Sequence, residues 1–388
     1  MAGTSAAFGS AYSGGLGNIA MMEAARGVPP SPFVRVVSYN VLSSHLCEPD
    51  HFVACKPENL DPPVRLERIK AMLQDQCNRE AVICLQEVST QWVGELTPFF
   101  ESNGYTFVSG NYGSPFNGYM GVSLAWPKSR FEAEACDISR CADTRQWPKE
   151  KKEPKPGALL TSWRWVKGLF GGAPAKKPFN VLAEAKRRHN MVVSARLRCK
   201  KSGARFAVST YHMPCLFGSD PKESVMVLHA ALVAQHAQKF ADGLPCVLAG
   251  DFNFQPPSSC YQLVTSGALP ADHVHQKIVS ESGATDGWSA VVEPPMVSAY
   301  IAAGSSEPEF TNLATTKFSG LEEPPFCETL DYIFLSRGHW TAQYARPLPK
   351  KADVLASCAS YPTEQEPSDH VAIYADLDLE PEALKAQM

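Results

Sequence analysis

No run of apolar residues in this chain approaches the ~18 that a membrane-spanning helix needs, so the sequence supplies no candidate transmembrane segment. It also lacks the cysteine spacings of a metal or redox motif. The 12 cysteines are scattered from Cys47 to Cys358, no two form a CxxC pair, and none stands with histidines at zinc-ligand spacing. That excludes a zinc ribbon and a thioredoxin-like centre. Several cysteines sit inside apolar runs, as Cys84 does in Val-Ile-Cys-Leu, where a thiol behaves as a small hydrophobe. Reduced core cysteines in an intracellular protein are the expectation, in the cytoplasm or, alternatively, an organelle. An excess of positive charge is missing too: formal net charge is -4 and pI about 6.2, so the molecule is not a basic coat for nucleic acid. The first thirty residues, rich in Gly, Ala and Ser with a single Arg, lack the charged start and compact apolar run of a secretory signal. They are also too poor in Arg for a transit peptide and read as a flexible tail over residues 1–31. No internal repeat is visible, and no leucine-rich segment precedes the domain.

What is present is a chain of 388 residues, 44% hydrophobic, long enough to bury a large core without staples. Short β-branched apolar runs alternate with stretches of helical spacing. Phe33–Tyr39, Ala81–Leu85, Gly121–Trp126, Met191–Leu197, Ala204–Tyr211, Pro245–Leu248, Leu330–Leu335 and Val371–Leu377 read as strands. Pro63–Cys77, Ser224–Phe240 and Ser258–Ser266 read as helices. This alternation predicts an α/β layered domain, here over 32–380, with a short tail at 381–388.

Two segments interrupt it. Arg145–Arg188 holds twelve of the 36 Lys and Arg against three Glu, which leaves the rest of the chain clearly acidic. Rich in Pro and Gly, it reads as an insertion at about 145–188. Concentrated positive charge suits docking of a polyanion, and Trp163 and Trp165, interleaved with Arg164 and Lys167, suit stacking on bases or contact with a partner. A merely solvated loop is the competing reading. Glu293–Pro325, also Pro- and Gly-rich, reads as surface loops.

The chemistry-bearing residues share one property: each polar group stands where an apolar strand ends or begins. Asn40 ends the first strand, Glu87 follows Ile-Cys-Leu, His212 follows Ala-Val-Ser-Thr-Tyr, and Asp251 and Asn253 follow Val-Leu-Ala-Gly. Asp331 opens Asp-Tyr-Ile-Phe, and Asp369 and His370 precede the last strand. Layered α/β folds gather reactive groups at such ends. The residue types form one inventory for phosphate-ester hydrolysis. A hard cation such as Mg²⁺ takes oxygen ligands, which Glu87 with Asn40 can supply. An in-line water needs a carboxylate, a role for Asp251. Charge gathering on the phosphorus oxygens needs donors, a role for His212 and His370, and neighbouring carboxylates, Asp331 and Asp369, would fix the tautomer of those rings or raise their pKa. Any one of these alone could be a surface turn; the conjunction carries the argument.

SYNVL, LQEV, TYHMP, GDFN, LDYIF and SDH, in this order from Ser38 to His370, resemble the motif series of the endonuclease/exonuclease/phosphatase superfamily. The first motif and Glu307–Asn312 ahead of LDYIF resemble its deadenylase, nocturnin, angel and 2′,5′-phosphodiesterase branch. The resemblance implies a DNase I-like four-layer sandwich, two stacked mixed β-sheets flanked by helices. It implies Asn40 and Glu87 as Mg²⁺ ligands, with Mn²⁺ a possible substitute. His212, Asp251, Asn253, Asp331, Asp369 and His370 become catalytic residues, and Phe326, Asn190 and Pro214 substrate-binding ones. Phe326, five residues before Asp331, stands where the branch stacks adenine. Met213 and Pro214 after the histidine depart from the branch, and the basic Trp-containing loop has no counterpart there. The implied function is a metal-dependent 3′-exoribonuclease acting on RNA or a nucleotide. The alternatives are a phosphatase for a dinucleotide such as NADP(H), an inositol phosphate or a lipid headgroup, and an inactive domain that serves as a binding module.

Overall fold

The computed structural model describes residues 33–148, 179–282, 287–385 and 387. Its strands run in chain order β1 (Val34–Asn40), β2 (Val82–Val88), β3 (Tyr105–Asn111), β4 (Gly121–Pro127), β5 (Phe131–Arg140), β6 (Met191–Cys199), β7 (Arg205–His212) and β8 (Cys246–Asp251). The short β9 (Met296–Ser298), β10 (Asn312–Ala314) and β11 (Phe326–Glu328) follow, then β12 (Asp331–Ser336), β13 (Trp340–Ala345) and β14 (Ile373–Leu379). Among the described residues, the helices of seven or more residues are α1 (Pro62–Asn78), α2 (Thr90–Ser102), α3 (Val181–Arg187), α4 (Asp220–Ala241), α5 (Ser259–Ser266) and α6 (Val274–Glu281).

β1 illustrates how the layers arise. Its residues alternate between two apolar environments, Val34 and Val36 on one face, Val37 and Tyr39 on the other. A strand buried on both faces belongs inside a stack. Two six-stranded mixed sheets, ordered β13-β14-β1-β2-β4-β3 and β5-β6-β7-β8-β12-β9, are joined by a core of Val36, Cys84, Leu124 and Ile373 from the first with Val193, Val208, Ala249 and Ile333 from the second. Outside the first sheet, Leu66 and Ile69 of α1 and Trp92, Leu96 and Phe100 of α2 cover Ile83, Leu85 and Tyr374. Outside the second, Met226, Ala230 and Val233 of α4 and Leu263 of α5 cover Tyr211, Leu248, Tyr332 and Phe334. The result is the expected sequence of helix, sheet, sheet, helix.

The strand directions position the site. β1 and β2 are parallel, with Asn40 opposite Gln86, and β7 and β8 are parallel, with His212 opposite Asp251. β12 runs antiparallel to β8 and starts with Asp331 opposite Asp251. The ends of four strands and the start of a fifth therefore lie along one edge of the sandwich.

Several elements differ from the sequence reading. α2, β3, β5 and β13 carry no periodic signal strong enough to call: α2 contains Pro98, and β5 is an edge strand in which only Phe131 is buried. Within Glu293–Pro325 there are strands β9 and β10, three residues each, too short to show a period. The described ends of the 145–188 segment pack on the body of the domain. Arg145 stacks over Trp147 and Trp288, 4.8 and 4.2 Å from the ring centroids, and Val181, Leu182 and Ala185 of α3 are buried against α4. The basic residues of α3 misled the reading because they lie on its solvent side. Trp163 and Trp165 fall outside the described residues. At the other end, Gln387 exchanges hydrogen bonds of 2.8 and 2.9 Å with the Arg205 backbone at the start of β7.

Candidate active site

Asp251 is the centre of the constellation. Its Oδ1 accepts from the Asn253 backbone N–H at 2.9 Å, which turns the chain and leaves Oδ2 facing the cleft. Oδ2 accepts from Asn40 Nδ2 at 2.9 Å and lies 3.4 Å from His212 Nε2 and 3.7 Å from His370 Nε2. Asn253 sits at φ 50°, a left-handed conformation that Asn tolerates, and its Nδ2 donates to Met213 O at 3.0 Å. The loop after His212 is thereby tied to the loop after Asp251.

Glu87 reaches the same cleft by a different device. The β2–β4 register slips between Leu85 and Val88, and Glu87 takes φ 59°, an uncommon conformation for a non-glycine residue that turns its carboxylate off the ladder. Oε1 accepts from Asn40 Nδ2 at 3.0 Å and Oε2 from the Ser43 backbone N–H at 3.1 Å. Asn40 is thus a bridge: its Oδ1 accepts from Leu42 N at 2.9 Å, and its amide nitrogen stands between two carboxylates.

His370 donates from Nδ1 to Asp331 Oδ2 at 2.7 Å, and the Thr311 hydroxyl donates to the same oxygen at 2.6 Å. Burial pushes Asp331 up to about 6, with His370 and Thr311 pulling it back. Burial also opposes charge on His370, but Asp331, Asp251 and Asp369 outweigh it and raise the imidazole well above its ordinary value. His212 is set differently. Its Nε2 faces Asp251 and, at 3.9 Å, Glu87 Oε1, while Nδ1 meets the Tyr112 hydroxyl at 3.0 Å. With Nε2–H directed at the carboxylates, Nδ1 accepts from Tyr112.

The sequence-predicted residues do not all stand where expected. Asp369 orients no histidine: its Oδ2 accepts from Asn312 Nδ2 at 3.2 Å and its Oδ1 from Ser368 Oγ at 3.4 Å. His370 turns to Asp331 and Asp369 turns to Asn312, and the Asp369 charge still helps to raise the His370 imidazole. The ring-orienting group for His212 is Tyr112 instead. Asn190 braces that arrangement, donating to His212 O at 2.8 Å and the Tyr112 hydroxyl at 3.3 Å. Pro214 is buried, whereas Phe326 is 42% exposed on β11, paired to the strand whose Asn312 bridges His370.

Tyr112, Thr311 and Arg65 were missed. Tyr112 directly follows β3, an unread strand, so its strand-end position was invisible. Thr311 stands one residue before Asn312 in a segment read as loop. Arg65 projects from α1, is fully buried, and donates to Pro367 O at 2.6 Å, Val41 O at 2.5 Å and Leu42 O at 2.8 Å. It clamps together the loop after Asn40 and the loop before Asp369.

The donor set fits a divalent cation. Ligand atoms of Glu87, His212 and Asp251 lie within 4.8 Å of one another, as do those of Asp251, Asp331 and His370. Carboxylate oxygens dominate, and Asn40 Nδ2 lies between two of them, where positive charge is favoured. Asn40 would offer its own oxygen there only with the amide turned over.

Comparison with known proteins decides the family. The profile described as the Endonuclease/Exonuclease/phosphatase family matches residues 37–370, most of the chain. The chain belongs to that family. Membership places it among hydrolytic phosphoesterases and nucleases. Human 2',5'-phosphodiesterase 12 is 24% identical over 361 residues, covering 90% of this chain and 52% of the relative. The "CCR4-Not complex 3'-5'-exoribonuclease subunit Ccr4" of Aspergillus niger is 24% identical over 390 residues, covering 89% and 52%. The family member thus spans about half the length of the curated relatives it matches. Among solved structures, ANGEL2, "a 2',3'-cyclic phosphatase", in complex with adenosine-2',3'-vanadate, superposes with TM-score 0.64 at 20% identity, covering 90% of this chain and 96% of that one. These relatives fall in the branch that the motifs resemble. No helix among the described residues is long and apolar enough to cross a membrane.

Proposed function

We propose that this family member is a Mg²⁺-dependent phosphodiesterase of RNA or oligonucleotides, a 3′-exoribonuclease of the deadenylase type. The observation that carries the reading is the convergence on Asp251 Oδ2 of Asn40, His212 and His370, with Glu87 beside them. Glu87, with Asn40 and Asp251, would hold the cation, which when bound supplies a positive charge for the phosphate oxygens and polarises them. Mn²⁺ would substitute. Asp251 orients a water and takes its proton, its carboxylate kept aimed by the Asn253 backbone N–H on Oδ1. His370, held cationic by Asp331, and the Nε2–H of His212 face the charge that develops on the phosphorus oxygens. Tyr112 and Asn190 hold His212 in its tautomer. Phe326 offers a ring for a base, and Asn253 fixes the loop between. On this reading the domain is the whole of 32–380.

A phosphatase acting on a nucleotide is the second reading, and the similarity to ANGEL2, a 2',3'-cyclic phosphatase, favours it. Incubation with poly(A), 2′,5′-linked oligoadenylate, adenosine 2′,3′-cyclic phosphate, NADP(H) and inositol phosphates, in Mg²⁺, Mn²⁺ and EDTA, separates the two. Release of 5′-AMP from an oligoadenylate, abolished by EDTA, is expected. Turnover only of the cyclic phosphate, the dinucleotide or an inositol phosphate replaces the proposal with the phosphatase. Silence across the panel points to the binding module.

A further inference from the structure

We infer that the loop between β3 and β4 is a rigid stacking platform for a nucleobase of the substrate strand, with Phe116 as its contact surface. This rests on the proposed action on single-stranded nucleic acid and goes beyond it by naming a subsite. Exposed aromatic side chains are unevenly distributed. Of six among the described residues, five (Phe116, Tyr119, Phe217, Phe318 and Phe326) lie on loops or the short ribbon at the edge of the sandwich that gathers Asn40, Glu87, His212 and Asp251. Phe116 and Tyr119 stand together on one loop and are 79% and 50% exposed.

That loop is not a floppy excursion. Tyr112 N donates to Met120 O at 2.8 Å, closing its base, and Ser114 N donates to Asn117 Oδ1 at 2.9 Å within it. Gly118 adopts φ 68°, packed so closely that a Cβ there would meet the His45 ring at 2.3 Å. Tyr119 takes φ 50°, a conformation uncommon for a bulky residue and costly unless its surroundings impose it.

The loop is also bolted to the reacting groups. Ser43, whose backbone N–H holds Glu87, donates from Oγ to Asn117 O at 2.8 Å. Thr90, three residues after Glu87, donates from N to Gly118 O at 3.0 Å and from its hydroxyl to Tyr119 O at 3.2 Å. Tyr112, at the other end of the loop, meets His212. A loop backbone fixed this firmly to both sides of the cleft, carrying a ring that faces solvent, has the properties of a base-stacking surface: an apolar face on a support that needs little ordering on binding. A protein partner would use the same ring, and the test distinguishes the two.

The test compares two fluorescent hexanucleotides of the linkage the enzyme prefers, one carrying all six adenines and one with abasic sugars in place of the four bases away from the cleaved end. Binding by anisotropy in EDTA and turnover in Mg²⁺ are both read, for wild type, Phe116→Ala and Phe116→Trp. In the wild type the fully based strand binds more tightly. Phe116→Ala weakens binding of that strand and raises its KM by about five- to a hundredfold, with kcat held and the abasic strand unaffected. Phe116→Trp restores the preference. Equal values for the two strands in the wild type, or a Phe116→Ala defect that falls equally on both strands, overturns the platform while leaving the hydrolase intact. Base-dependent binding lost in Phe116→Ala without any hydrolysis keeps the platform and removes the hydrolase.

Discussion

Arg65 offers a direct measure of how the site is held together. Its guanidinium is fully buried, has no carboxylate within ion-pairing distance among the described residues, and donates to three backbone carbonyls on two loops 302 and 24 residues away in sequence. It also lies 5.1 Å over the Trp92 ring. Replacing it with Met fills a similar volume and leaves Pro367, Val41 and Leu42 oxygens without their donor. At ~1–3 kcal/mol for each buried group so abandoned, less the cost of having buried the charge, the loss is about 3–5 kcal/mol. A domain of ~350 residues changes stability by roughly 0.7 kcal/mol per degree near its midpoint, so the melting temperature should fall about 5 °C. Activity should suffer separately. The loops concerned carry Asn40 and His370, and at a temperature where Arg65→Met is fully folded kcat should drop at least ~10-fold, the effect of about 1.4 kcal/mol in the transition state. Arg65→Lys keeps the charge without the fork and should lie between. Calorimetry and steady-state kinetics on an oligoadenylate are the assays. A melting temperature within a degree of wild type together with unchanged kcat would refute the clamp.

Three further outcomes follow from the geometry. Asp331→Asn removes the charge-assisted bond to His370, ~1.5–3 kcal/mol if it is realised in the transition state, so kcat should fall about 10- to 150-fold in a folded protein; turnover within threefold would show the pair to be structural. Tyr112→Phe frees His212 Nδ1 and should lower kcat several-fold with little change in KM, read in the same assay. His229 is buried and neutral, bonded to Tyr211 and Ala185, and burial lowers it to about 4. Above the unfolded value near 6.5 it imposes no penalty. As pH falls from there toward 4 the unfolded chain takes up a proton that the fold refuses, which removes about 3 kcal/mol of stability. The difference in unfolding free energy between wild type and His229→Gln, measured by urea titration, should therefore change across that window; a pH-independent difference would contradict it.

Much of the fold and part of the site were legible in the sequence for one physical reason. Groups such as Asn40, His212, Asp251 and Asp331 are anchored to strands that are apolar on both faces, so their positions at strand ends could be read from local pattern. What escaped reading depends on contacts between segments far apart. Thr311 meets Asp331 across twenty residues, Tyr112 meets His212 across a hundred, and Arg65 meets Pro367 across 302. None lies in a local pattern. Asp369 bears on His370 through its charge rather than through a hydrogen bond, a distinction that chain adjacency alone does not show. Alternation in β5 was obscured because an edge strand leaves all but one of its residues at least partly exposed, and α3 was hidden by the charges on its outer face.

Asp251→Asn tests the central claim with least ambiguity, since it removes one proton acceptor while keeping the shape of the side chain and the turn at Asn253. Single-turnover cleavage of a labelled oligoadenylate in saturating Mg²⁺ should fall by ~100-fold or more, in keeping with loss of a general base, while circular dichroism and strand binding stay as in wild type. Cleavage by Asp251→Asn at the wild-type rate would mean that the groups gathered around that carboxylate do not form the hydrolytic centre.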